Sequence, residues 1–218
     1  MKVCTDSCVL GAWAEVENAQ QILDIGTGTG LLSLMVAQRS EAQITAVEID
    51  EAAAVQALEN IAESPWQKRI VLKQKSLQEF GRENQQQFDA IICNPPFFQA
   101  SLTSPDQAKT VAKHTQKLPF QDLLQFVTGF LTSEGTFYLL LPPPEAEIFR
   151  KLADEQQLYP ERTLQLFTQP SGKHLRTIYA YSRFKNANLI PETLFIRNPD
   201  QSYTSPFREL LKDYYLIF

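Results

Sequence analysis

The sequence predicts an α/β fold in which helices cover both faces of a doubly wound, mostly parallel sheet of seven strands. Short apolar runs recur along the chain between longer segments of helical period, which is the pattern of such a sheet. Most of these runs are almost continuously apolar, as expected for strands that are buried on both faces. The last two predicted strands are joined by a connection too short for a helix, which adds one antiparallel strand at the C-terminal end.

The seven strands follow the apolar runs in chain order. They are predicted at residues 21–26, 44–49, 69–74, 88–93, 135–142, 162–168 and 176–184. The connection QPSGKHL, residues 169–175, fits a hairpin turn and cannot hold a right-handed helical crossover. A further short strand is predicted at residues 194–198.

Helices are predicted between the strands from their apolar period and good helix formers. They cover residues 31–38, 51–64, 119–131 and 144–157. Asp50 is expected to cap the second of these helices, and Ser205 to cap a final one. The apolar face of the final helix would comprise Phe207, Leu210, Leu211 and Tyr214. Residues 186–218 therefore form a C-terminal appendage with one strand and one helix.

Length and composition indicate one compact domain. The chain has 218 residues, a formal net charge of −5 and 3 cysteines. No apolar run approaches the roughly 20 residues of a membrane span, and the N-terminus lacks a signal pattern, so we expect a cytoplasmic, single-domain monomer over residues 1–218 without membrane contact. Cys4, Cys8 and Cys93 have no matching Cys or His cluster, which indicates reduced thiols and no metal site.

Charge is distributed unevenly along the chain. Residues 1–107 carry 7 Lys and Arg against 14 Asp and Glu, whereas residues 108–218 carry 13 against 11. A cofactor-binding first half and a second half that faces a polyanion would explain this difference. Ordinary scatter of charges explains it equally well.

The segment ILDIGTGTG, residues 22–30, leads from the first strand into a helix. Gly26, Gly28 and Gly30 allow a tight turn and leave the main chain open to a ligand. The spacing differs from the dinucleotide motif G-x-G-x-x-G, and the Lys-Ser/Thr of a P-loop is absent. Glu48 ends the second strand about 20 residues later, where an acidic side chain accepts hydrogen bonds from ribose hydroxyls. Together these residues predict a nucleoside ligand.

The fourth predicted strand ends in CNPPFF, residues 93–98. Pro95 and Pro96 remove N–H donors from this turn, and Asn94 adds a side-chain carbonyl, so the surface can accept both N–H bonds of an amino group. Phe97 offers a flat face for stacking a planar group. An ordinary Pro-Pro turn with packed phenylalanines is the alternative, but the glycine turn upstream favours the catalytic interpretation.

These motifs resemble those of class I methyltransferases, which are Rossmann-like proteins that bind S-adenosylmethionine. LDIGTGTG with AVEID is similar to the cofactor site of that family, and NPPF is similar to its N-P-P-[YF] signature for methylating amino groups. The resemblance implies that Asp24 lies near the methionine part of the cofactor and that the glycines lie beneath it. It also implies catalytic roles for Asn94, Pro95 and Phe97, with Asn94 beside the cofactor. Ser76 stands where the family usually has an acidic residue and is expected to accept a hydrogen bond.

Three further segments resemble a narrower family, the bacterial methyltransferases that add an N6-methyl group to adenine 37, beside the anticodon of a valine tRNA. These segments are MKVCTDSCVLGAW, ENIAESPWQKRI and YTSPFRELLKDYYLIF. Two residues depart from the family pattern, since Cys4 replaces a glycine and Phe97 replaces a tyrosine. The resemblance implies that residues 1–20, including Thr5 and Asp6, lie near the cofactor, and that the partner is the anticodon loop of a tRNA.

Two clusters of basic side chains are candidates for contact with RNA. One recurs at helical spacing after the NPPFF motif, and the other lies in the predicted hairpin. The candidates are Lys109, Lys113, His114, Lys117, Lys173 and Arg176. A solvated surface explains both clusters equally well.

Three other functions stay open at this stage. Glutamine methylation of release factors uses the same NPP core, but those enzymes normally carry a separate helical N-terminal domain. Guanine-N2 methylation of rRNA is a second alternative, although its members often read N-P-P-F-H, whereas Phe98 and Gln99 follow Phe97 here. An inactive RNA-binding module is the third, and the intact motif residues argue against it.

Overall fold

The computed structural model describes residues 4–95 and 118–217. These residues form one sheet with helices on both faces. The strands are β1 (Gln21–Ile25), β2 (Gln43–Glu48), β3 (Ile70–Gln74), β4 (Phe88–Cys93), β5 (Leu131–Leu141), β6 (Tyr159–Phe167), β7 (His174–Ser182) and β8 (Glu192–Phe195). The helices are α1 (Thr5–Trp13), α2 (Leu31–Arg39), α3 (Glu51–Ala62), α4 (Leu77–Glu83), α5 (Phe120–Phe130), α6 (Pro143–Glu155) and α7 (Ser205–Leu211). Within the described ranges, no helix has the length and apolar character needed to cross a bilayer.

The sheet has the strand order β3-β2-β1-β4-β5-β7-β6-β8. Strand β7 runs antiparallel to its neighbours β5 and β6, and all other neighbouring strands pair in parallel. The predicted fold class, a doubly wound and mostly parallel sheet with an antiparallel C-terminal strand, is therefore confirmed. The sheet has eight strands because the further short strand expected near residues 194–198 pairs with β6 as β8.

Two apolar layers hold the helices against the sheet. Helices α1, α2 and α7 pack on one face, and α4, α5 and α6 pack on the other. The neighbouring residues Ile91 and Ile92 of β4 belong to opposite layers, and each has 0% exposure. Burial on both faces explains why the strands read as nearly continuous apolar runs.

Side-chain caps mark where two of the helices begin. The Asp50 carboxylate accepts a hydrogen bond from the Ala53 N–H at 2.8 Å, which confirms it as the N-cap of α3. For α7 the prediction was displaced by one residue. Thr204 is the N-cap, because its hydroxyl accepts from the Phe207 N–H, and Ser205 is the first helical residue.

Helices α1 and α4 were not predicted from the sequence. Every residue of α1 from Ser7 to Trp13 is buried, so this helix lacks the polar face that would give it an amphipathic period. Helix α4 has only 7 residues and begins with a capping box formed by Ser76 and Glu79. Both helices lie close to the motifs described below.

Candidate active site

The sequence motifs meet at the carboxyl edge of the sheet, where the strand order reverses. Strand β1 pairs with β2 on one side and with β4 on the other. Its carboxyl end leads into the glycine turn, while β2 ends at Glu48 and β4 leads directly into Asn94. In open α/β sheets this reversal creates a crevice in which ligands bind.

The glycine turn adopts a backbone conformation that other residues rarely tolerate. Gly26, Gly28 and Gly30 have φ angles of 69°, 59° and 84°. The Gly26 and Thr27 N–H groups donate to the Val47 carbonyl at 2.8 and 3.1 Å, which anchors the turn to β2. A methyl group at Gly26 would meet no atom within 4 Å, so the main chain here faces open space. This is the cradle that a ligand lying on the turn requires.

Asp24 lies beneath the turn and is completely buried. Its Oδ2 atom accepts hydrogen bonds from the Thr27 hydroxyl and from both the N–H and the hydroxyl of Ser33. Its Oδ1 atom is also buried and accepts no hydrogen bond within the described parts of the chain. Burial raises the pKa of Asp24 to about 6, although hydrogen bonds from Thr27 and Ser33 act in the opposite direction. The site thus holds a carboxylate with one free acceptor atom.

Glu48 is bound to three backbone N–H groups. Its Oε2 accepts from Gly28 at 2.8 Å, and its Oε1 accepts from Ile49 and Asp50, each at 2.9 Å. A carboxylate has about four acceptor positions, so one remains for a ligand hydroxyl. Glu48 therefore fixes the turn and can still bind a ribose.

The side-chain amide of Asn94 is hydrogen-bonded to helix α1. Its Nδ2 donates to the Ser7 hydroxyl of α1 at 2.7 Å. The Oδ1 atom is buried and has no hydrogen-bond donor among the residues that the structure describes. Pro95 follows and supplies a carbonyl without an N–H. The end of β4 therefore carries two carbonyl acceptors, Asn94 Oδ1 and the main-chain carbonyl of Pro95.

The N-terminal segment reaches the same edge through α1. The Asp6 carboxylate accepts the Ser7 N–H at 3.0 Å and forms an ion pair with the Arg176 guanidinium at 2.8 Å. A residue predicted to bind the cofactor is thus paired with one predicted to bind RNA. The Thr5 side chain hydrogen-bonds Tyr215 in the C-terminal segment.

Ser76 and the hairpin residues lie at other points of the same edge. The Ser76 hydroxyl accepts from the Glu79 N–H and donates to the Glu79 carboxylate, which lowers the pKa of that carboxyl. Lys173 is exposed in the turn between β6 and β7. His174 stacks on Phe167 with ring centroids 4.6 Å apart.

Several predicted site residues fall outside the described ranges, namely Phe97, Lys109, Lys113, His114 and Lys117. The structure adds three hydroxyl residues that the sequence reading missed, which are Ser7, Thr27 and Ser33. Thr27 lies within the glycine motif and Ser33 lies just after it, so their position could have predicted that they belong to the site. Within the described ranges, no group of three His, Cys, Asp or Glu could hold a metal ion.

Comparison with known proteins decides the family. The methyltransferase small domain model matches residues 6–128. A tRNA1(Val) (adenine(37)-N6)-methyltransferase of Bacteroides thetaiotaomicron is 45% identical over 99% of this chain and 91% of its own length. The enzyme of the same name from Dyadobacter fermentans is 47% identical over 100% of this chain and 92% of its length. The chain belongs to this methyltransferase family.

Solved structures agree with the fold of this methyltransferase. A predicted O-methyltransferase from Agrobacterium tumefaciens superimposes with a TM-score of 0.74 and 18% identity, covering 95% of each chain. The ribosomal protein L11 methylase of Lactobacillus delbrueckii subsp. bulgaricus has a TM-score of 0.57 and 18% identity, covering 83% of this chain and 78% of its own. An O-methyltransferase from Brevibacillus brevis, solved with S-adenosyl-L-homocysteine, has a TM-score of 0.52 and 18% identity, covering 74% of this chain and 54% of its own.

The residues of the cleft fit S-adenosylmethionine, the methyl donor of this enzyme. The open main chain at Gly26 leaves room for a ligand, and the remaining acceptor position of Glu48 suits a ribose hydroxyl. The free Oδ1 of Asp24 suits a cationic or N–H group. When bound, the cofactor supplies a methyl group on a positively charged sulfur.

Proposed function

We propose that this methyltransferase adds a methyl group to the exocyclic N6 atom of adenine 37 in the anticodon loop of a valine tRNA. The observation that carries this proposal is the buried Oδ1 atom of Asn94, which accepts no hydrogen bond within the described residues. A buried acceptor without a donor costs about 1–3 kcal/mol, and a substrate amino group would recover that cost. The names of the relatives supply the identity of the base and of the tRNA.

The role of Asn94 and Pro95 would be to orient the amino group. Asn94 Oδ1 accepts one N–H bond and the Pro95 carbonyl accepts the other. With both N–H bonds held, the nitrogen lone pair turns out of conjugation with the ring and becomes nucleophilic. The rate enhancement then comes mainly from positioning the two reacting groups. The methylated nitrogen is acidic, so its extra proton passes to water without a strong protein base.

Phe97 is proposed to stack on the adenine ring. This role rests on the sequence, because Phe97 lies beyond the described residues. A stacking contact is worth about 1–3 kcal/mol per base in proteins that bind single strands. An unpaired anticodon loop presents its bases without the cost of opening a duplex.

The β6–β7 hairpin is proposed as one contact surface for the tRNA. Strand β7 is antiparallel, so its first residues lie at the same sheet edge as Asn94. Lys173 is exposed there and suits a phosphate contact. Arg176 is paired with Asp6 in this structure, which favours a role within the protein. We further propose that the enzyme works in the cytoplasm. We also propose that it is a monomer, which light scattering would test.

The decisive experiment uses labelled S-adenosylmethionine and total tRNA from a strain that lacks the modification. Nucleoside analysis is expected to place the label in N6-methyladenosine, and cleavage mapping is expected to place it at position 37 of the valine tRNA. Label in N2-methylguanosine or in protein would favour the guanine or glutamine alternatives. A complete absence of label would count against tRNA as the substrate.

A further inference from the structure

We infer that Ser7 is a positioning residue that fixes the orientation of the Asn94 side-chain amide. This inference rests on the proposed function, because it concerns how the acceptor for the substrate amino group is presented. The Ser7 hydroxyl lies on α1, and it accepts a hydrogen bond from Asn94 Nδ2 at 2.7 Å. The two residues are 87 positions apart in the sequence.

The orientation of the amide decides what Asn94 can bind. The two ends of an asparagine side chain have nearly the same shape, but one accepts hydrogen bonds and the other donates them. If the amide rotated by half a turn, Nδ2 would replace Oδ1 and would face the N–H bonds of the substrate. Two donors would then oppose each other, and the amino group could not be held. The structure has the first orientation: Nδ2 donates to the Ser7 hydroxyl, and Oδ1 remains without a donor in the described residues.

The structure holds Ser7 firmly enough for this task. Ser7 has 8% exposure, and its N–H donates to Asp6 Oδ1. The other Asp6 oxygen pairs with Arg176 of β7, which fastens the start of α1 to the sheet. Gly11 lies one turn further along α1, where a methyl group would come within 2.8 Å of the Met35 sulfur of α2. Helix α1 therefore sits close against the core and carries the Ser7 hydroxyl to a fixed point.

A merely structural role for Ser7 would have different consequences. If the hydroxyl only satisfied a buried N–H, its loss would lower stability and leave the turnover of folded enzyme unchanged. If it orients Asn94, its loss lowers kcat while cofactor affinity and the fold persist. Separating kcat from KM and from stability therefore distinguishes the two roles.

The test compares Ser7→Ala with Ser7→Thr and with the control Ser40→Ala. Ser40 is also buried, but its hydroxyl donates to the Val36 carbonyl just after α2 ends and before β2 begins, at the sheet edge opposite Asn94. We expect Ser7→Ala to lower kcat on tRNA at least about 10-fold, with cofactor affinity within 2-fold of wild type. Ser7→Thr keeps a hydroxyl and is expected to recover most of the loss. Ser40→Ala is expected to keep the wild-type kcat.

A second measurement needs no tRNA, so it stays informative if the proposed substrate is wrong. Selective ¹⁵N-asparagine labelling reports the side-chain amide of Asn94, whose signal is identified by its absence in Asn94→Ala. In wild type with cofactor, its protons are expected to exchange with water at least about 5-fold more slowly than in Ser7→Ala. Equal exchange rates, or a wild-type kcat in Ser7→Ala, would overturn the inference. Failure to methylate tRNA with the amide signal still protected would count against the proposed substrate alone.

Discussion

The Glu48 carboxylate accepts a hydrogen bond from the Gly28 N–H at 2.8 Å, across 20 positions of the chain. This bond joins the glycine turn after β1 to the carboxyl end of β2. The same carboxylate also accepts from the N–H groups of Ile49 and Asp50. One side chain thus ties the glycine turn to the end of β2 and retains one acceptor position.

Glu48→Gln is expected to weaken both the turn and the binding of S-adenosylmethionine. A glutamine nitrogen cannot accept from a backbone N–H, so at least one of the three donors loses its partner. We expect the free energy of unfolding to fall by about 1–3 kcal/mol, and cofactor affinity to fall at least about 10-fold. Urea unfolding and calorimetric titration measure these effects. Glu63→Gln, at the exposed end of α3, is the control and should change neither quantity.

Asn94→Ala is expected to abolish methyl transfer while the protein still folds and binds its cofactor. The substitution removes the Oδ1 acceptor and frees the Ser7 hydroxyl, whereas the glycine turn and Glu48 stay intact. Single-turnover assays with labelled cofactor, together with a thermal melt, check this. A variant that still transferred methyl groups at the wild-type rate would rule out the proposed role of Asn94.

The architecture could be predicted because burial leaves a local trace in the sequence. Strand β4 is buried on both faces, so it reads as a continuous apolar run. Helix α1 is buried nearly all round, so it lacks the polar stripe by which helices are recognised. Complete burial therefore made the strands recognisable in the sequence, whereas it removed the pattern by which this helix could have been predicted.

The candidate site was predictable where its residues lie within one motif. Gly26 and Asn94 were found from local spacing, and Glu48 from its distance to the turn. The contacts of Asn94 with Ser7 and of Asp6 with Arg176 join distant segments, and no local pattern records them. Arg176 was therefore interpreted as an RNA contact from its charge alone, although folding gives it a carboxylate partner.

Gly26→Ala and Gly30→Ala form a matched pair that separates the effect of backbone strain from the effect of blocking the cofactor. Both residues have positive φ, so an alanine is expected to cost about 1–2 kcal/mol of stability at either position. A methyl group at Gly30 would touch Ala57 of α3 at an ordinary 3.6 Å, whereas at Gly26 it would project into open space. We therefore expect similar losses in melting temperature, but a much larger loss of cofactor affinity for Gly26→Ala. Equal affinities would show that no ligand approaches Gly26.

Lys173→Ala and Arg176→Ala are expected to impair different properties, tRNA binding in the first variant and stability in the second. Lys173 is exposed, so its loss should weaken tRNA binding and reduce the slope of log affinity against log salt by about 0.7–0.9, with no change in stability. Arg176 pairs with Asp6, whose side chain is 16% exposed, so its loss should lower the melting temperature. Filter binding at several salt concentrations and thermal melts distinguish the two. An unchanged salt slope in Lys173→Ala would remove the hairpin from the RNA surface.

Asp24 is expected to make the stability of the cofactor-free enzyme depend on pH. Burial raises its pKa from 3.8 to about 6, so the ionised carboxylate is disfavoured in the folded state. Protonation therefore favours folding, and this contribution is complete below pH 3.8 and is lost as pH rises through about 6. The difference of about two pKa units corresponds to roughly 3 kcal/mol at neutral pH.

The comparison of Asp24→Asn with wild type isolates this contribution, because all other groups titrate in both proteins. The asparagine of the variant stays neutral at both pH values. The unfolding free energy of Asp24→Asn minus that of wild type should therefore increase by up to about 3 kcal/mol between pH 4 and pH 7. Urea unfolding at both pH values measures the change. Cofactor binding should show the opposite trend in wild type, because a cation near Asp24 favours the ionised form, so affinity should fall below pH 6. Parallel stability curves for the two proteins would show that Asp24 titrates as an ordinary carboxylate.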